Sequence, residues 1–92
     1  MKKKFTSIAL ALVILGSSAT AVFAESAGGG DWEHSITLYQ VTSNYLHNSK
    51  VHGSTAENNV SQVFSGWANA GVWSRITINA SLFGNAVYYK TK

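Results

Sequence analysis

The chain has 92 residues with no cysteine and no proline, and its seven Lys and Arg against four Asp and Glu give a formal charge of +3. This length leaves room for one small domain and not for a multi-domain enzyme, and the missing cysteines exclude a disulfide-stapled scaffold. The positive excess sits in Lys2, Lys3 and Lys4. Beyond them Lys50, Arg75, Lys90 and Lys92 balance Glu25, Asp31, Glu33 and Glu57, so charge implies neither nucleic acid nor the Lys/Arg-rich face of a membrane-disrupting peptide.

The chain opens with a lysine cluster and an apolar run, IALALVIL, followed by small residues ending in Val22-Phe23-Ala24. This is the pattern of a helical secretory signal peptide over residues 1–24, cut after Ala24. The run is too short for a membrane span, which needs about 20 apolar residues. Residues 25–31, with Gly28-Gly29-Gly30, read as a flexible start to the mature chain. Residues 32–92 read as the folded domain, with an aromatic load heavy enough to build a small core.

Strand-favouring Val, Ile, Thr, Tyr and Trp recur, and long helical periodicity is missing. A first strand is expected over residues 32–42, with Ile36 and Leu38 on one face and Tyr39 and Val41 on the other. A short second strand surrounds residues 44–47, and Asn48-Ser49-Lys50 reads as a turn. Residues 53–61 read as a polar loop, 62–64 as a short strand, and Ser65-Gly66 as a turn. Residues 70–80 form the clearest strand, with Val72, Ser74, Ile76 and Ile78 facing one way and Trp73, Arg75, Thr77 and Asn79 the other. Gly84-Asn85 signals a turn before a closing strand over 86–90. The expected fold class is all-β, a small antiparallel β-sandwich.

His47 and His52, five positions apart, invite a metal reading, with His34 and Asp31 or Glu33 completing the set. In an unbroken strand or helix they point apart, and only a turn at Asn48-Ser49 could unite them, so no metal is assigned. Asp31, His34 and the serines lack any nucleophile-elbow pattern, so no catalytic residues are assigned. An aromatic and amide-rich surface suits an outside partner better. Trp32, His34, Tyr45, His47, Lys50, His52 and Trp73 are the candidate target-binding residues, with Lys50 and the histidines facing an anion and the rings stacking or packing. No cofactor is expected.

The segment SNYLHNSKVHGST, residues 43–55, together with Trp32-x-His34, Ala70-Gly71-Val72-Trp73-Ser74 and Tyr88-Tyr89, closely resembles the lactococcin 972 family of bacteriocins. The resemblance implies a secreted antibacterial protein with a β-sandwich fold that acts as a homodimer. It further implies blocked cell-wall synthesis at the division septum through the precursor lipid II, without pores or membrane insertion. An immunity protein and a transporter encoded nearby are also implied. The competing class is a secreted, non-lethal cell-surface or carbohydrate-binding module.

Overall fold

The computed structural model describes residues 8–9 and 24–92. Eight strands run in chain order: β1 (Ile8–Ala9), β2 (Ala24–Ala27), β3 (Gly30–Ile36), β4 (Gln40–Leu46), β5 (His52–Glu57), β6 (Gln62–Phe64), β7 (Ser74–Asn79) and β8 (Ala86–Thr91). They form two antiparallel four-stranded sheets, ordered β1-β8-β5-β6 and β2-β3-β4-β7. The expected all-β antiparallel fold is present. Of the expected helical leader, Ile8–Ala9 is described as a strand paired with β8 and Ala24 opens β2; the remainder lies outside the described residues.

The core lies between the sheets. Trp32, Ile36, Val41 and Tyr45 come from one sheet and Ala56, Val87 and Tyr89 from the other, all buried. Tyr45 and Tyr89 stack with ring centroids 4.3 Å apart, and Tyr89 meets Trp32 edge-on at 4.9 Å. These offset and edge contacts are the arrangements that aromatic quadrupoles favour.

Two buried serine relays tie the sheets. The Trp32 indole Nε1 donates to Ser43 Oγ at 2.9 Å, and that hydroxyl donates to the Tyr88 carbonyl of the opposite sheet at 2.8 Å. Ser54 Oγ of β5 lies 2.7 Å from Ser74 Oγ of β7, and Ser74 Oγ donates to the Tyr45 carbonyl at 3.0 Å. A buried hydroxyl is tolerated when its polar roles are filled, and Ser43 and Ser74 each accept one bond and donate another.

The structure departs from the expected elements in four places. The strand expected over 32–42 is two strands joined by a tight turn, so Ile36 and Val41 face each other in the core while Leu38 and Tyr39 project into solvent. Thr37 makes the turn: its Oγ1 accepts the Tyr39 and Gln40 N–H groups at 3.2 and 3.0 Å. The segment expected as a loop over 53–61 carries β5, a strand paired on both sides. Its small side chains leave space for rings from neighbouring strands. The glycine stretch expected to be flexible is a hairpin, with Gly28 and Gly29 at φ of 59° and 86° between β2 and β3, the pair of positive φ values that two-residue hairpins require. The strand expected from residue 70 begins at Ser74, and Val72 is exposed; from 74 to 79 the expected alternation of faces is kept.

Candidate functional site

The seven residues singled out from the sequence divide into two groups. Trp32, Tyr45 and His52 are fully buried and His47 is 5% exposed, so none of these four presents a binding face to an outside partner. They are core. His34 is half-buried, its ring tilted against Trp32 with centroids 4.1 Å apart and its Nε2 2.9 Å from a Glu25 carboxylate oxygen. Lys50 is exposed in the 48–50 turn, and Trp73 is half-buried under the Arg75 guanidinium, 4.8 Å from its ring.

The turn does bring the two histidines together, with ring centroids 6.5 Å apart, closer than a continuous strand or helix allows. Their nitrogens are already committed. His47 Nδ1 accepts the Ser49 and Lys50 N–H groups at 3.2 and 3.0 Å, closing the turn. Burial, the nearby Lys50 ammonium and His52 hold the His47 imidazole below its ordinary pKa, which keeps that acceptor lone pair available. His52 Nδ1 lies 2.7 Å from the Lys50 carbonyl and Nε2 lies 2.6 Å from the Val72 carbonyl. A neutral ring can donate to one of these at a time, an imidazolium to both. Among the described residues no three His, Cys, Asp or Glu side chains gather around a point that could hold a metal ion.

Burial also acts on the tyrosines. It pushes the Tyr45 phenol up to about 12, helped by Tyr89 and Asp31. The Tyr45 hydroxyl donates to the Ala27 carbonyl at 2.7 Å, fastening the first hairpin to the core.

The histidines brace a surface that the sequence reading missed. The loop between β6 and β7 is held by paired backbone bonds between His52 and Ala68, at 3.1 and 2.8 Å, by the Gly71 N–H on the His47 carbonyl at 2.9 Å, and by the His52 ring at Val72. This fixes Trp67, which is 44% exposed and meets Phe64 edge-on at 5.1 Å. Lys90 Nζ lies 4.5 Å from the Phe64 ring centre and 5.1 Å from that of Trp67, and Lys92 Nζ lies 5.0 Å from Trp67. The Cε1–Cζ edge of the Phe64 ring lies over Gly53, where any β-carbon would strike it. Neither lysine has a carboxylate partner among the described residues. Lys50 stands nearby, because the Lys92 N–H donates to the Val51 carbonyl at 2.8 Å. Ammonium groups over an exposed indole can receive an anion, while the free part of the ring offers a face to a sugar. The signal available in the sequence was the alternation Lys90-x-Lys92, which puts both amines on one face of a strand. It became a site only once β8 was known to pair with β5.

The family model described as Bacteriocin (Lactococcin_972) matches residues 28–89 of this chain. The chain belongs to the lactococcin 972 family of bacteriocins. The solved structure of lactococcin 972 is similar to it, with 33% sequence identity and a TM-score of 0.58, over 68% of this chain and 98% of that one. No curated protein sequence matches the chain. The matched segment takes in β3 to β7 and β8 as far as Tyr89, with Phe64 and Trp67 inside it, while β1 and β2 precede it and Lys90 and Lys92 follow it. The family points to an antibacterial protein that works without catalysis.

Proposed function

We propose that this protein is a secreted bacteriocin that inhibits cell-wall synthesis at the septum of related bacteria by binding lipid II, without catalysis. The family match over residues 28–89 carries this reading. Export by a leader cut after Ala24 is part of it, and the match begins just beyond that point. A cut there would leave Glu25 in place to pair with His34. The Lys90, Lys92 and Trp67 surface suits such a target, since lipid II offers sugar rings and peptide carboxylates that stand clear of the membrane. We further take the active form to be a homodimer, to be read by sedimentation equilibrium.

The test is a lawn assay with the protein recovered from culture medium. Inhibition zones on related strains are expected, and excess free lipid II is expected to abolish them. Zones absent across a broad panel would leave a non-lethal surface module instead. Zones that persist with excess lipid II would remove that target while keeping the antibacterial reading.

A further inference from the structure

Seven large apolar side chains stand exposed among the described residues, and five of them, Leu38, Tyr39, Val60, Leu82 and Phe83, belong to three loops at one end of the sandwich. The loops are residues 37–39 between β3 and β4, 58–61 between β5 and β6, and 80–85 between β7 and β8. They are bonded to one another: the Ala80 N–H donates to the Tyr39 carbonyl at 2.9 Å, Asn58 Nδ2 to the Asn79 carbonyl at 2.8 Å, and the Asn59 N–H to Ser81 Oγ at 3.0 Å. The five side chains thus share one braced tip, exposed by 61, 78, 84, 96 and 67% respectively.

Two properties of this tip identify what it fits. None of its residues carries a formal charge: the loops read TLY, NNVS and ASLFGN. Glu57, which precedes the second loop, has its carboxylate tied to Gln62 Nε2 and the Tyr88 hydroxyl at 2.8 and 2.9 Å. The second property is that each loop occupies some of its own backbone donors with a polar side chain. Thr37 Oγ1 accepts the Tyr39 and Gln40 N–H groups, Asn58 Oδ1 accepts those of Val60 and Ser61 at 2.9 Å each, and Asn85 accepts from the Ser81 N–H and donates to the Ser81 carbonyl at 2.8 and 2.7 Å. Backbone groups entering a low-water region must be satisfied internally, and charged side chains resist entry. Aromatic rings favour the interfacial zone. A protein partner would need about 800 Å² of complementary face, whereas this tip is five side chains on three short loops.

We propose that this tip docks the domain onto a phospholipid bilayer, with Leu38, Tyr39, Val60, Leu82 and Phe83 seated in the interfacial zone and the sheets standing above it. The docking is peripheral: no helix of the described residues is long and apolar enough to cross a membrane. The lysine-aromatic surface lies at the other end of β5 and β8 and so projects away from the lipid. This inference goes beyond the lipid II reading and does not depend on it.

The test is flotation with vesicles of phosphatidylcholine alone, using the chain recovered from culture medium with its N terminus read by mass spectrometry, so that no leader contributes. Binding is expected, and it should persist when salt rises from about 0.05 to about 0.5 M, because uncharged docking is not screened. Leu82→Ser with Phe83→Ser should cut the bound fraction about tenfold, with an unchanged melting temperature because both side chains are exposed. Trp67→Ser, at the opposite end, should leave vesicle binding intact. Absent wild-type binding, loss of binding in high salt, or equal binding by the tip variant would each overturn the proposal. So would a tip variant that turns a dimer into a monomer and leaves vesicle binding unchanged, which would make the tip a contact between copies.

Discussion

The indole N–H of Trp32 and the hydroxyl of Ser43 form a 2.9 Å hydrogen bond inside the core, and Ser43 passes the interaction on to the opposite sheet. A ring that looked like a binding face is a donor in a relay between sheets. Ser43→Ala leaves the Trp32 N–H and the Tyr88 carbonyl buried without that partner, which costs about 2 kcal/mol or more. Urea denaturation reads this directly. A loss within about 0.5 kcal/mol, as for a neutral surface change, would mean that both groups find other partners.

His47 predicts a dependence on acid. Its folded pKa lies below the unfolded value, so the unfolded chain binds more protons between the two. The resulting stability is fully present above the ordinary imidazole pKa of about 6.5. It is lost as pH falls through the lowered folded value. Protonated Nδ1 would also confront the Ser49 and Lys50 N–H groups, opening the turn. Melting temperatures of the wild type should therefore drop more between about pH 7.5 and pH 5.5 than those of His47→Gln. Parallel curves for the two proteins would refute this.

Tyr45 predicts the opposite limb. Its folded phenol is pushed up to about 12, so its contribution is complete below the unfolded value of about 10 and is lost as pH rises through the folded one. Burial raises Tyr88 and Tyr89 as well, so ultraviolet titration should show a late step shared by these tyrosines. Tyr45→Phe should shrink that late step by one tyrosine and cost about 1 kcal/mol for the lost bond to Ala27. A late step unchanged in Tyr45→Phe would assign it elsewhere.

Gly53 and Phe64 are coupled. Gly53→Ala drives a methyl group into the Phe64 ring, and such overpacking costs about 1–3 kcal/mol. Phe64→Ala clears the space, so the double variant should be less destabilised than the sum of the singles. Additive losses in a double-mutant cycle would show that the ring does not rest on Gly53.

Lys90 and Lys92 carry the prediction for activity. Replacing both with Gln should reduce growth inhibition about tenfold, the worth of one charge-assisted contact, while the thermal transition stays in place. Undiminished inhibition would move the target-binding surface elsewhere.

The segment around residues 43–55 explains both what the sequence disclosed and what it concealed. Its spacing identified the family, and Asn48-Ser49-Lys50 announced a turn, because Asn and Ser bond locally to backbone. The alternation from Ser74 to Asn79 likewise revealed which face is buried. Hidden were features set by partners distant in the chain. The strand His52–Glu57 is small and polar because Phe64 covers Gly53 and Ser74 satisfies Ser54, so its local composition imitates a loop. The turn after Ile36 rests on one threonine hydroxyl, with no Gly, Asn or Pro to announce it. Burial of Trp32, Tyr45 and His52 follows from sheet packing, and Trp67 became visible as a surface residue only once His52 was seen to hold its loop.

The two serine relays have a consequence for where this chain can work. They join the sheets by bonds that break and re-form unaided, and the chain contains no cysteine. Folding therefore requires neither a thiol oxidant nor a disulfide isomerase, and a reducing medium leaves the finished domain untouched.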